Sequence, residues 1–141
     1  VEAVTAADVA SLLAQIAATE AVARAATPGP WCAEHPAGRY GPVGETPGVD
    51  VVRHESGLPK IVAHVDPWGG TLDAAHIALN DPARVLARCA ADREIVALHV
   101  SSPDPDQDGR DFCDGCDHAA PCPTLRALAT AYAGPEGERH E

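Results

Sequence analysis

The chain has 141 residues, 45% of them hydrophobic, with five cysteines and ten Lys plus Arg against 21 Asp plus Glu, a net charge of −11. That length suits one domain whose folding buries roughly 70% of the unfolded surface, so a core can form without disulfides. The acidic balance opposes the phosphate attraction behind nucleic-acid binding, and no run of ~18 apolar residues is present to span a bilayer.

The hydrophobic count leans on alanine, and aromatics make up only 4%. Small side chains bury little area each, so a metal crosslink would matter more to such a core. The first residues lack the basic start, apolar middle and cleavage site of a secretion signal, which leads us to expect a cytoplasmic protein. An odd number of cysteines, three of them clustered, points to metal ligation in a reducing compartment. Lys60 is the only lysine. This bias toward arginine fits a high-GC bacterial genome.

Thr5 with Asp8 three residues later resembles a capping box, and Val9, Leu12, Leu13, Ile16, Glu20 and Ala23 recur at helical spacing. The pattern predicts an amphipathic helix from residue 6 to about 26, with Glu20 the one flaw in its apolar stripe. Pro28 and Gly29-Pro30 stop it, and Trp31 is placed either to anchor the following chain against the core, the preferred reading, or to stand exposed as a contact. Residues 32 to 48 read as loops or a short edge strand. Gly48 to His54 and Lys60 to Val65 are β-branched runs on either side of Glu55 to Pro59, which predicts a β-hairpin with a five-residue connection. His54 and His64 are candidates to pair across its polar face, with a second metal there as one reading. Cys32 reads as a free, partly buried thiol.

Asp66 to Gly70 ends the second strand, and Thr71 or Asp73 can open a short helix through Leu79. His76 belongs on its surface or as a satisfied core residue. Asp81 is an apt N-cap for a longer helix with Pro82 at its first position, extending to Val100. On that helix Val85, Cys89, Val96, His99 and Val100 share one side and should face inward. Residues 101 to 111 form a polar, acidic loop. A last helix runs from Pro123 to about Ala133 with Leu125, Leu128 and Ala129 on its buried side, and Cys122 at its N-cap gains from the helix dipole as a thiolate. The architecture expected is α+β: an N-terminal helix, a small antiparallel sheet, two further helices, and a zinc turn leading into the C-terminal helix. We expect one domain over 1–133, a metal-binding subregion over 99–133, and a frayed tail over 134–141.

The chemistry concentrates in Cys113-x2-Cys116-x5-Cys122. Two sulfurs of a Cys-x2-Cys turn can meet one zinc at ~2.3 Å, and three thiolates leave one tetrahedral position. The contenders are His99, His118, Cys89 and solvent. His118 follows Cys116 by only two positions, a short chelate that points successive ligands apart. Cys89 and His99 are separated by about 15 Å of helix rise, so both cannot bind one ion. His99 is the preferred fourth ligand, which makes His99, Cys113, Cys116 and Cys122 the expected metal site, with zinc in a structural role. Solvent in the fourth position would instead suggest a small zinc enzyme, with Asp114 and Asp117 nearby. No phosphate-binding glycine loop, Gly-x-Ser-x-Gly elbow or His-Glu-x2-His helix is present.

Two resemblances bear on this site. Cys89-x23-Cys113-x2-Cys116-x5-Cys122 resembles the iron–sulfur pattern of the WhiB-like actinobacterial regulators, which implies a redox-sensing [4Fe–4S] cluster. The chain lacks that family's Gly-aromatic-Gly-Gly turn after the last cysteine and its basic C-terminal segment, and Trp68-Gly69-Gly70 lies before the cysteines. Ala26-Thr27-Pro28-Gly29-Pro30-Trp31, Ala75-His76-Ile77-Ala78 with Asp81-Pro82-Ala83-Arg84-Val85-Leu86, and Pro121-Cys122-Pro123-Thr124-Leu125-Arg126 together resemble a family of small, functionally uncharacterised proteins of Streptomyces and related actinobacteria, some carried by phages. The likeness covers roughly residues 20 to 133. It implies a histidine before the Cys-x2-Cys element, in agreement with His99, and no established activity. The usual Trp-rich tail is replaced here by residues 134 to 141. The function expected is a non-catalytic, zinc-stabilised interaction or regulatory protein, its acidic surface suited to a basic protein partner.

Overall fold

The computed structural model describes residues 6–35, 48–66, 70–99, 101 and 111–133. Its elements run α1 (Ala6–Ala25), β1 (Cys32–Glu34), β2 (Val49–Glu55), β3 (Leu58–Val65), α2 (Gly70–Leu79), α3 (Pro82–Leu98) and α4 (Pro123–Ala133). The fold is α+β, with one three-stranded antiparallel sheet in the order β1-β2-β3. Packing divides the chain into two compact units, one of Val1–Glu20 with Arg88–Glu141 and one of Ala21–Ala87. Among the described residues no helix is long and apolar enough to cross a membrane.

In the unit built around the sheet, β2 is central and Val49 to Val52 are buried. Alternation sends Val49 and Val51 to one face, where they form a core with Ala74 and Ala78 of α2. Trp31 is half-buried against that core and donates its indole N–H to the Thr27 carbonyl at 3.0 Å, so it anchors the chain as expected. The predicted edge strand over part of 32–48 is β1, with Cys32 opposite Val52 and Glu34 opposite Asp50.

The hairpin is tighter than the sequence suggests. β2 continues to Glu55 and β3 begins at Leu58, so the connection is Ser56-Gly57 rather than the five residues Glu55 to Pro59. Both turn residues have positive φ, 53° and 81°, as a two-residue turn matched to strand twist requires. Pro59 lies inside β3 rather than in the connection, and it is tolerated there because β3 is at the sheet edge. Glu55, which reads as a loop residue, is an acceptor for Arg53 at 2.8 Å and for Lys60, and these cations hold its carboxyl down at about 2. The candidate pairing of His54 with His64 does not form. His54 lies opposite Pro59, whereas His64 lies opposite Asp50 and contacts its carboxylate at 2.6 Å.

Asp81 caps α3 as expected, its carboxylate accepting the Arg84 N–H at 2.9 Å. His76 is exposed on α2.

The other unit contains the first part of α1, the C-terminal part of α3, residues 111–122 and α4. Leu12, Ile16, Cys89, Cys113 and Cys122 are its fully buried side chains. A side chain the size of Leu12 or Ile16 contributes roughly 1.5–3 kcal/mol by leaving water. The flaw in the α1 stripe has a partner: Arg93 of α3 donates Nε to Glu20 Oε1 at 2.9 Å and Nη2 to Oε2 at 3.1 Å. Glu20 is thereby buried without being stranded.

α3 ends at Leu98, short of the predicted Val100, and the His99 N–H closes a tighter turn onto the Val96 carbonyl at 3.2 Å. That break frees His99 from the helical direction. α4 keeps the predicted limits, with Leu125 buried and Leu128 and Ala129 half-buried. The Thr5–Asp8 cap, Trp68, Val100, most of the acidic loop and the tail lie outside the described residues.

Candidate metal centre

Residues 111–122 fold into a compact knuckle. Phe112 bridges Ala119 and Ser101 bridges Cys113 in antiparallel fashion, while the Cys113 N–H donates to the His118 carbonyl at 2.9 Å. Between these ties Cys116 and Asp117 both donate N–H to the Cys113 carbonyl, at 3.3 and 3.0 Å, so the Cys-x2-Cys segment turns back on itself. Asp117 adopts a φ of 54°, the left-handed conformation that Asp tolerates better than bulkier residues. Gly115 closes the knuckle against the end of α3. A Cβ there would sit 2.3 Å from the Leu98 carbonyl oxygen and 3.2 Å from His99 Nδ1, so only glycine permits the approach.

This geometry gathers four side chains. His99 Nδ1 lies 3.4 Å from Cys113 Sγ and 3.4 Å from Cys122 Sγ. With Cys116 Sγ included, all four ligand atoms lie within 4.8 Å of one another, so the group could hold a metal ion. Ligands at 2.0–2.3 Å from a tetrahedral zinc are spaced about 3.6 Å apart for N and S, close to both His99 separations. Cys113 and Cys122 are buried, while His99 and Cys116 are half-buried.

Peptide N–H groups already serve the sulfurs. Burial pushes the Cys122 thiol up, but the Leu125 N–H, the thiols of Cys113 and Cys116, and the Thr124 N–H outweigh it and bring it down to about 6. This is the N-terminal turn of α4 acting on its cap residue. Burial and hydrogen bonding to Cys113 push Cys116 up to about 11, against the pull of the His118 N–H. A bound cation would remove that penalty by replacing the proton.

The contenders for the fourth position separate cleanly. The exposed His118 engages the Cys116 carbonyl through Nδ1 at 2.7 Å, outside the cluster. Cys89 is also apart. Its sulfur receives the Tyr132 hydroxyl at 3.7 Å, and the same hydroxyl donates to Asp92 at 2.7 Å.

A second gathering was not anticipated from sequence. Cys32, Glu34 and His54 place their ligand atoms within 4.8 Å of one another on the sheet. Glu34 is the residue missed. It joins a cysteine and a histidine that are 22 positions apart, and only the β1–β2 register reveals it. Gly115 was missed as well, although its place directly before Cys116 signals a tight turn.

A model of a family of unknown function (DUF6221) matches residues 6–137 of the chain. No curated protein and no solved structure matches it.

Proposed function

Because the chain belongs to this family of unknown function, which brings no activity with it, we propose from the site's own chemistry that the protein is a small zinc-stabilised interaction or regulatory protein. His99, Cys113, Cys116 and Cys122 are the zinc ligands and the zinc is structural. The observation that carries this reading is the meeting of one imidazole nitrogen with three sulfurs at near-tetrahedral spacing. Zinc in such a set ties the end of α3 and the knuckle to the first turn of α4, and the binding free energy becomes folding free energy.

Four protein ligands favour a closed site over an enzyme, since a catalytic zinc keeps a position for water or substrate. The exclusion of Cys89 from the group disfavours the WhiB-like alternative, in which that sulfur would complete a cluster. The net charge of −11 supports a basic protein partner over nucleic acid. The ordered motifs and the arginine bias support an origin in an actinobacterium or its phage, and the unpaired cysteines support the cytoplasm.

Elemental analysis of protein purified without added metal tests the reading. We expect about one zinc per chain, a colourless solution, and a cobalt-substituted spectrum unmoved by added azide. Iron with visible charge-transfer absorption would transfer the site to the iron–sulfur reading, an azide-sensitive spectrum would indicate an open position, and metal-free protein that melts at the same temperature with and without zinc would refute both.

A further inference from the structure

The sheet unit carries a ligand set independent of the site above. Cys32 and Glu34 are two apart on β1 and so project from the same face, while Ala33 between them packs toward α2. Cys32 is paired with Val52, and His54, two residues further along β2, shares that face. Glu34 reaches back along the strand so that its Oε1 accepts from Cys32 Sγ at 3.4 Å and lies 2.6 Å from His54 Nε2. One sulfur, one oxygen and one nitrogen thus converge.

We propose that Cys32, Glu34 and His54 form a second, open site for a borderline divalent cation of the zinc class, with the remaining coordination left to water or an external ligand. The donor set selects the ion. Calcium and magnesium demand oxygen ligands, whereas thiolate with imidazole suits zinc and its neighbours. Three protein ligands rather than four leave the ion accessible, and the exposed His54 puts it at the surface. The ligands stand on paired strands, a scaffold more rigid than a loop, so binding needs only side-chain rotation. Binding replaces the Cys32 proton, which passes to solvent. The proton that His54 Nε2 shares with Glu34 moves through solvent to Nδ1 so that Nε2 is free to ligate, and the hydrogen bonds now converging on Glu34 give way to bonds to the ion.

The test is equilibrium dialysis of the full chain against Zn2+ and, separately, Co2+. We expect two equivalents per chain, the second roughly 100-fold or more weaker than the first because it has one protein ligand fewer. Cys32→Ser and His54→Ala should each bind one equivalent and keep the wild-type melting temperature in metal-free buffer. The second cobalt equivalent should add sulfur-to-metal charge-transfer absorption that Cys32→Ser lacks. Should Cys32→Ser fail to fold, Glu34→Gln reads the same site with an isosteric acceptor. Cys116→Ser should lose the tight equivalent and retain the weak one, which separates this site from His99 and its neighbours. Saturation of the wild type at one equivalent up to about 100 µM free metal would overturn the proposal. So would a second equivalent that survives in Cys32→Ser, His54→Ala and Glu34→Gln alike.

Discussion

Replacing His99 by alanine asks whether the imidazole is a ligand or only a neighbour of the thiols. In metal-free protein its interactions are slight: the ring is half-buried, and each 3.4 Å approach to sulfur is a weak contact. The metal-free melting temperature should therefore change by no more than a few degrees. With metal the loss is larger. Structural zinc binds with an apparent free energy on the order of 10–16 kcal/mol, and an even share over four ligands is about 2.5–4 kcal/mol, a factor of roughly 10² to 10³ in affinity. Competition with a chromogenic chelator measures the affinity, and thermal melts with and without zinc measure the coupling. His118→Ala is the control, since His118 is held by the Cys116 carbonyl, and it should leave affinity within a few-fold of wild type. Equal zinc affinity in His99→Ala and wild type, or a drop in His118→Ala matching that in His99→Ala, would refute the assignment.

Gly115→Ala forces a methyl against the Leu98 carbonyl at 2.3 Å, so the knuckle must shift. Urea unfolding of the zinc form should register a loss of about 1–3 kcal/mol, accompanied by weaker zinc retention. Arg93→Ala leaves the buried Glu20 without its bidentate partner and should cost roughly 1–3 kcal/mol, below the 3–5 typical of a fully buried pair because the Arg93 side chain is 39% exposed. Glu20→Leu with Arg93→Met should recover most of that loss in the same unfolding experiment. Ser56→Asn should raise stability by a few tenths of a kcal/mol, since asparagine accepts a φ of 53° more readily than serine, whereas Ser56→Ile should lower it. The pH response of metal-free protein follows from the thiols. Cys122 sits at about 6 against 9.0 when unperturbed, so its contribution is complete above pH 9 and fades as pH falls through 6. Cys116, pushed to about 11, acts in the opposite sense as pH rises from 9 toward 11. Melting temperature should thus climb between pH 6 and 9, and Cys122→Ser should flatten the climb.

Local chemistry was legible wherever one segment carried its own instruction. The stripe from Val9 to Ala23 gave the length of α1, Asp81-Pro82 set the start of α3, and Cys122-Pro123 set the start of α4. The spacing of Cys113, Cys116 and Cys122, with His99 beyond them, was enough to nominate the group the fold gathers. The helix limits rest on contacts a few residues apart, where backbone geometry alone decides what meets, whereas His99 reaches the cysteines across 14 to 23 residues.

The misreadings have another origin. Pro59 and Glu55 look like loop residues until the sheet order places β3 at an edge and Lys60 beside Glu55. Glu20 looks like an error in the stripe until α3 brings Arg93 to it, and His54 and His64, candidates to pair across the hairpin, are given Glu34 and Asp50 by the register instead. By itself the sequence determined the helices, the presence of the hairpin and the candidate cluster of three cysteines with a histidine before them. Only the tertiary structure decided that His99, the preferred candidate, meets the three sulfurs while His118 and Cys89 stand apart, that Glu34 lies beside Cys32 and His54, and that Gly115 must lack a side chain. The reason is physical: a pairing between distant segments depends on strand register and on where a helix stops, and a shift of one residue turns a side chain to the opposite face.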